Sequence, residues 1–133
     1  MSRVDRRLSR RSLAGLAMIA VAGTARAASG YQLVMVEEPG CIYCARWHAE
    51  VGSAYGKSAE GRFAPLMRAR IGSPEVSHLK GLRFTPTFVL VEGEREVGRI
   101  TGYPGADFFW GLLSEMLART PFKAQAPTDD IKT

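Results

Sequence analysis

Both cysteines of this 133-residue chain lie in the stretch Pro39-Gly40-Cys41-Ile42-Tyr43-Cys44-Ala45-Arg46-Trp47-His48. An apolar run rich in β-forming residues, Tyr31 to Val36, comes directly before it. Apolar residues at helical spacing, Trp47, Val51 and Tyr55, come after Cys44. The pattern predicts that the cysteine pair lies where a strand turns into a helix, which would run from Cys41 to about Tyr55.

This position has a chemical consequence for Cys41. The first amides of a helix lack partners within it and carry a partial positive charge, which stabilises a thiolate relative to its thiol. An ordinary cysteine with a pKa of about 8.5 is only ~3% thiolate at neutral pH, and a pKa of about 6.5 makes it ~75% thiolate. A stabilised thiolate also leaves readily when Cys44 attacks a mixed disulfide. We therefore expect Cys41 and Cys44 to be catalytic, with Cys41 as nucleophile and Cys44 as resolving thiol.

Two other uses of the pair remain as weaker alternatives. The first is a disulfide that only stabilises the fold. The ring that a Cys41–Cys44 bond closes is so small that it removes only about 2 kcal/mol of unfolded-state entropy, against ~4.7 for a long loop. As a metal site, Cys41, Cys44 and His48 have ligand-like spacing and His78 is a candidate fourth ligand, but a second cysteine pair is missing. Haem attachment needs His directly after the second cysteine, and position 45 is Ala. The expected redox group is therefore the dithiol itself, with no metal and no further cofactor.

The first 27 residues have the features of a secretory signal peptide. Five arginines precede an apolar run from Leu13 to Ala22, and Ala25-Arg26-Ala27 provides small residues at a cleavage site. The run is too short to be a permanent membrane span. Arg10-Arg11 resembles a twin-arginine signal, so export by the general or the twin-arginine route is expected. Export together with a lone cysteine pair indicates an oxidising compartment, and we predict the periplasm.

Charge and length limit what the mature protein can be. Of the 18 basic and 13 acidic residues, six arginines and one aspartate lie in residues 1–27, which leaves twelve of each sign. A near-neutral protein of this kind is not expected to bind nucleic acid. The remaining chain is long enough for one domain, which we place at residues 28–120. Residues 121–133 are polar with two prolines and are predicted to be a flexible tail.

The rest of the chain predicts alternating strands and helices. In order, these are a polar connection at residues 57–61, a strand at 65–71, a short helix at 75–82, a hairpin of strands at 88–91 and 96–101, and a helix at 107–117. Pro86 opens a strong strand, a place where proline is tolerated. On its own this proline predicts a trans bond, because only about one X-Pro bond in twenty is cis in folded proteins.

This order of elements, with Cys41-Ile42-Tyr43-Cys44 and Thr85-Pro86 as its motifs, is similar to the thioredoxin-like family over residues 32–118. The resemblance implies an α/β fold with a central mixed sheet of about four strands flanked by helices, lacking the N-terminal strand and helix of full thioredoxin. It also implies that Pro86 is cis against the thiol pair. Thr85 and Pro86 would then position the substrate, whose chain pairs with the backbone at Thr85.

A narrower resemblance rests on three stretches, which are residues 36–48, 85–90 and 98–105. They resemble the small periplasmic SoxS-type thioredoxins of bacterial sulfur oxidation. This implies a reductase that acts on a disulfide or modified cysteine of a periplasmic partner such as a sulfur-carrier protein, and that a membrane electron-transfer protein recharges. The alternatives are a periplasmic disulfide oxidant or isomerase, and a non-catalytic module that binds zinc or a partner.

The sequence departs from ordinary thioredoxin at two places. Ile42-Tyr43 replaces Gly-Pro between the cysteines, and Met35 stands six residues before Cys41, where thioredoxins bury an aspartate. The usual carboxylate that moves protons to and from the second thiol is therefore absent, and a nearby glutamate acting through water is the expected substitute. The candidates for tuning the thiols are Glu37, Glu38, Tyr43 and His48. For His48, a plain surface position is favoured over a tuning role.

Overall fold

The computed structural model describes residues 29–123. The predicted signal peptide and all but the first three residues of the predicted tail lie outside this range. Phe122 is described, and its ring centroid lies 5.2 Å from that of Phe63. The packed chain therefore continues to Phe122, past the predicted domain boundary at residue 120. No helix within residues 29–123 is both long and apolar enough to cross a membrane.

A four-stranded mixed sheet forms the centre of the domain, in the order β2-β1-β3-β4. Its strands are β1 (Tyr31–Glu37), β2 (Leu66–Arg70), β3 (Thr87–Glu92) and β4 (Arg95–Thr101). β1 runs parallel to β2 and antiparallel to β3, and β3 pairs antiparallel with β4. The strand at 65–71 and the hairpin predicted from alternation are confirmed, as is the mixed sheet.

The predicted first helix is present but is not a regular α-helix throughout. It consists of α1 (Ile42–Trp47), a π-helical turn (His48–Gly52) and α2 (Ser53–Lys57). The backbone stays helical across both junctions, with φ −60° and ψ −39° at His48 and φ −71° and ψ −36° at Ser53. The helix thus reaches Lys57, two residues beyond the predicted end at Tyr55.

Two local predictions are wrong. Residues 57–61, predicted as a connection, contain the start of α3 (Ala59–Phe63), because the Ser58 hydroxyl accepts a hydrogen bond from the Gly61 amide at 2.9 Å and caps the helix. Residues 75–82, predicted as a short helix, contain only a 3₁₀ turn, Pro74–Val76. The last helix, α4 (Ala106–Leu117), is present with Asp107 in its first turn, as predicted.

The two faces of the sheet bury different residues. Helices α1 to α4 cover one face and enclose a cluster rich in aromatic residues, hereafter the aromatic cluster. Its fully buried large side chains include Leu33, Met35, Trp47, Tyr55, Phe88, Phe109 and Leu113. The other face carries a smaller aliphatic cluster of Val34, Val36, Ala69, Val76, Leu79, Val89 and Val91. The chain between β2 and β3, including the 3₁₀ turn, supplies Val76 and Leu79 to this second cluster.

Candidate active site

Cys41 and Cys44 form a disulfide at the start of the first helix, with Cα atoms 5.3 Å apart. Cys41 is the N-cap residue of α1, with extended backbone angles of φ −74° and ψ 105°. Its sulfur accepts a hydrogen bond from the amide of Cys44 at 3.1 Å. When the disulfide is reduced, the same N–H points at a thiolate on Cys41 and stabilises it. The predicted place of the pair, at the turn from strand to helix, is confirmed.

The turn before the helix sets the direction of Cys41. Gly40 has φ +77°, a left-handed conformation that glycine adopts without steric cost. The amide of Cys41 donates to the carbonyl of Glu38 at 3.3 Å, which closes the turn after β1. The turn therefore brings the first cysteine to the surface at the end of a central strand.

The two sulfurs differ in accessibility. Cys41 is partly buried at the rim of the aromatic cluster, whereas Cys44 is 4% exposed and belongs to the cluster itself. Trp47, one turn further along the helix, is fully buried, as its apolar spacing predicted. An incoming disulfide can therefore reach Cys41 and not Cys44, which fits the roles of attacking and resolving thiol.

The second motif lies next to the first. The bond between Thr85 and Pro86 is cis, as the family resemblance implies. β3 begins at Thr87, which is in register with Val36 near the end of β1. The Thr85 hydroxyl donates to the carboxylate of Glu38 at 2.5 Å. Because the Glu38 carbonyl also accepts from Cys41, this one residue contacts both motifs.

Glu37 forms a charged cluster with residues of two other elements. His48 Nε2 lies 2.5 Å from Glu37 Oε1, and Arg68 Nε donates to Glu37 Oε2 at 2.6 Å. The side chains of Glu37 and His48 are 15% and 31% exposed, so the pair is largely covered. Partial burial acts to raise the pKa of Glu37, but the hydrogen bonds from Arg68 and His48 outweigh it and hold that pKa below its ordinary value.

His48 is the first residue of the π-helical turn, and Tyr103 contacts another residue of the same turn. Tyr103, in the loop after β4, donates its hydroxyl to Glu50 at 2.7 Å. Burial and the bond to Glu50 together raise the pKa of Tyr103 to about 12, so it stays a neutral donor at physiological pH. Single π turns inserted into α-helices occur often at functional sites, since they redirect neighbouring side chains.

An open cleft of about 410 Å³ connects the disulfide with the charged cluster. Its lining consists of Glu37, Glu38, Gly40, Cys41, Ile42, Cys44, Ala45, His48 and Arg68. Five predicted site residues thus share one cavity, which are the two cysteines, Glu37, Glu38 and His48. Tyr43 is 55% exposed beside the disulfide. The structure therefore places His48 in the cleft and not on the open surface.

Arg68 is the member of the site that the sequence did not reveal. It lies in the strand predicted at 65–71, and the sequence predicted no role for it. The parallel pairing of β1 and β2 sets Arg68 in register with Met35, two residues before Glu37. That register arises from pairing between distant segments, so the sequence pattern contained no signal for it. His78 is exposed, and the described residues contain no cluster of three or more His, Cys, Asp or Glu side chains in metal-binding geometry.

Comparison with known families and structures identifies the family. Residues 20–117 match the family model described as a thioredoxin-like domain, which is most of the chain. The chain belongs to the thioredoxin-like family. A thioredoxin-like fold with a Cys41–Cys44 disulfide supports thiol–disulfide redox activity in general terms.

Two solved structures are similar to this thioredoxin-like protein. The periplasmic thioredoxin SoxS from Paracoccus pantotrophus, solved in its reduced form, is 44% identical with a TM-score of 0.63, and the match covers 67% of this chain and 97% of that one. A chain in a structure that addresses the thiol resolving mechanism of yeast mitochondrial 1-Cys peroxiredoxin via glutathione/thioredoxin systems is 13% identical with a TM-score of 0.51. The match covers 64% of this chain and 77% of that one, and it shows the fold alone. No curated protein matches the chain. The predicted fold and the predicted resemblance are thereby confirmed.

Proposed function

We propose that this protein is an exported thiol–disulfide oxidoreductase that works as a reductase on a protein partner. Cys41 thiolate attacks one sulfur of the target disulfide and releases the other as a thiolate. Cys44 then attacks the sulfur of Cys41, which forms the Cys41–Cys44 disulfide and releases the second target sulfur as a thiolate. Two electrons pass to the target, and a separate dithiol reductant restores the pair.

One observation favours this proposal over a structural disulfide. The accessible sulfur caps a helix and accepts an amide hydrogen bond, while its buried neighbour lies behind it. A purely structural disulfide needs neither feature, because it stabilises the fold by restricting the unfolded chain and not through the state of its thiols. Both features are needed for a sulfur that must attack, be attacked and leave.

Exposed apolar side chains between the cysteines and before the Thr85–Pro86 bond support a protein as the partner. Ile42 and Tyr43 between the cysteines are 73% and 55% exposed, and Phe84 before the Thr85–Pro86 bond is 66% exposed. Exposed apolar residues grouped at one site are typical of protein-binding surfaces. Thr85 and Pro86 would position an extended segment of the partner across this surface, with its cysteine at Cys41.

Similarity to SoxS supports the cellular setting of the proposed function. That protein is a periplasmic thioredoxin, and the signal-like residues 1–27 of this chain agree with export by the general or twin-arginine route. We propose a periplasmic protein that reduces a disulfide or persulfide on a partner such as a sulfur-carrier protein. A membrane electron-transfer protein would supply its electrons.

Reduction of insulin by the purified protein tests the activity, with Cys41→Ser as the inactive control. We expect turnover that Cys41→Ser abolishes. The reduction potential, measured against glutathione, then tests the direction: a value near −270 mV fits a reductant, and one near −120 mV would instead assign an oxidant. Absence of insulin reduction together with stoichiometric bound zinc would overturn the proposal in favour of a binding module.

Trapping identifies the partner. In Cys44→Ala, the mixed disulfide on Cys41 has no resolving thiol, so the partner should stay covalently attached in the native host. Cys41→Ala is the matched control and should trap nothing. Recovery of the same proteins with both variants would contradict the assigned roles of the two cysteines.

A further inference from the structure

The short segment that leads into β3 is held at both ends by hydrogen bonds. The carbonyl of Phe84 accepts from the Thr87 hydroxyl at 2.6 Å. The carbonyl of Pro86 accepts from the amide of Gly102, in the loop after β4, at 2.7 Å. Thr87 is 2% exposed, so its hydroxyl is shielded from water. These two bonds fix the first and last residues of the segment and leave the orientation of the middle residue, Thr85, to other contacts.

The backbone of Thr85 is available for pairing with another chain. Within residues 29–123, neither its amide nor its carbonyl bonds to another backbone group. Backbone N–H and C=O groups need partners, and an extended peptide can supply them by adding to the end of an ordered strand. The partner segment that the proposed function places across this surface would therefore pair with Thr85, provided that Thr85 is held in the right orientation.

The side chain of Thr85 is bonded to the turn that carries Cys41. Its hydroxyl donates to the carboxylate of Glu38 at 2.5 Å, although the two residues are 47 positions apart in sequence. The carbonyl of Glu38 accepts from the Cys41 amide at 3.3 Å, so the same residue also closes the turn before the disulfide. Hydrogen bonds to a carboxylate are stronger than those between neutral groups. Glu38 is thus a direct link between Thr85 and the backbone of the attacking cysteine.

We propose that Glu38 is a positioning residue, which holds Thr85 in the orientation in which its backbone pairs with the partner segment. The inference rests on the proposed oxidoreductase function and assigns one part of its partner recognition. Glu38 acts through the Thr85 hydroxyl and takes no part in the exchange of sulfur bonds. Because its carbonyl also bonds to the Cys41 amide, one residue relates the pairing backbone to the attacking sulfur.

The contact predicts that a hydrogen-bond acceptor at position 38 matters and that its charge does not. Glutamine keeps an oxygen that can accept from the Thr85 hydroxyl, whereas alanine removes it. Both keep the backbone carbonyl that accepts from Cys41, so the turn before the disulfide should stay closed. A binding segment that is ordered in advance loses less freedom when its partner arrives. Loss of the acceptor should therefore weaken partner binding and leave the sulfur exchange itself unchanged.

Insulin reduction by purified variants tests the proposal. Glu38→Ala should raise KM for insulin about fivefold and leave kcat unchanged, which is the signature of lost binding. Glu38→Gln should keep a nearly native KM. The reaction of reduced Cys41 with DTNB, a small disulfide that needs no backbone pairing, should keep its native rate in both variants. Glu94→Ala is the matched control, because it removes an exposed glutamate from the turn between β3 and β4, and it should equal the native protein throughout.

A double-mutant cycle tests whether Glu38 acts through Thr85. Thr85→Val removes the hydroxyl while keeping the backbone and the branched shape of the side chain, so it should raise KM about as much as Glu38→Ala does. Thr85→Ser keeps a hydroxyl and should stay close to the native KM. The double variant Glu38→Ala/Thr85→Val should be no worse than either single variant, because both changes remove the same hydrogen bond.

Several outcomes would overturn the proposal. An unchanged KM in Glu38→Ala would show that the contact does not help binding, and an equal loss in Glu38→Gln would assign the effect to the charge. Additive effects in the cycle would mean that Glu38 does not act through Thr85, and a fall in kcat at native KM would place Glu38 in the thiol chemistry. Failure of the native protein to reduce insulin would overturn the proposed function itself, so the two failures are distinguishable.

Discussion

The two faces of the sheet contrast in composition and in what they support. The aromatic cluster packs large rings against one another, with Trp47 5.2 Å from Phe88 and 5.6 Å from Phe109 between centroids. The aliphatic cluster on the other face holds short side chains under a connection with a single 3₁₀ turn. Cys44 belongs to the first cluster and no cysteine belongs to the second. Packing on the aromatic face therefore positions Cys44, whereas packing on the aliphatic face positions no cysteine.

The largest expected effect compares a core residue from each face. Trp47→Ala should lower the free energy of unfolding by about 3–5 kcal/mol, and Leu79→Ala by about 2 kcal/mol, because the removed ring leaves the larger cavity. Both are measured by urea denaturation. Reaction of the reduced protein with DTNB should then separate the two variants. Trp47→Ala should also change the rate of the second phase of this reaction, in which Cys44 attacks the mixed disulfide that Cys41 has formed with the reagent. An altered second phase in Leu79→Ala would contradict the division between the faces.

The next largest effect concerns two glycines whose replacement by Ala should change stability in opposite directions. A Cβ at Gly61 would lie 1.9 Å from the Tyr55 carbonyl oxygen, so Gly61→Ala must displace backbone under the aromatic cluster and should cost about 2 kcal/mol or more. Gly111, inside α4, has nothing within 4 Å of its added Cβ. Gly111→Ala should therefore stabilise by about 0.5–1 kcal/mol through helix propensity. Melting temperatures of the two variants, shifted in opposite directions, are the check.

Two exposed phenylalanines test whether the surface at the disulfide is the part that docks a partner. Phe84 is 66% exposed beside the Thr85–Pro86 bond, and Phe108 is 71% exposed on α4. Phe84→Ser should raise KM for insulin about fivefold, because its ring is buried only in the complex, while Phe108→Ser leaves KM unchanged. The reaction with DTNB, which needs no docking surface, should be unaffected in both. Equal effects of the two variants on KM would argue against a localised surface.

The smallest expected effect is the pH dependence that Glu37, at the end of β1, gives to the free energy of unfolding. The folded-state pKa of Glu37 lies below its ordinary value of 4.5, so its contribution is present above that value and is lost as pH falls through the lowered one. Glu37→Gln should thus be less stable than the native protein at neutral pH by about 1 kcal/mol. The difference should shrink towards pH 3. Denaturant midpoints at both pH values, with Glu38→Gln as control, measure it.

Much of the fold followed from local patterns in the sequence. The residue pattern predicted the strand at 65–71, two strand-forming runs around a turn predicted the hairpin, and helical spacing predicted burial of Trp47 and Val51, which are 0% and 1% exposed. The prediction failed at α3, where a single capping serine outweighed a polar and glycine-containing segment. It failed also at residues 75–82, where helix-forming residues yielded only a 3₁₀ turn. In the second place the amides of Ser77 and Leu79 bond to carbonyls three residues back, Pro74 and Val76, which is the pattern of a 3₁₀ turn and not of an α-helix.

The sequence by itself determined where the cysteine pair lies, because cysteine spacing, a strand before it and a helix after it are all local features. Only the tertiary structure decided which acidic residue serves which motif. Glu37 and Glu38 are neighbours in sequence, yet alternation along the end of a strand sends one to His48 and Arg68 and the other to Thr85. These contacts join residues 11 to 47 positions apart, and strand register and helix packing, not local composition, bring them within bonding distance.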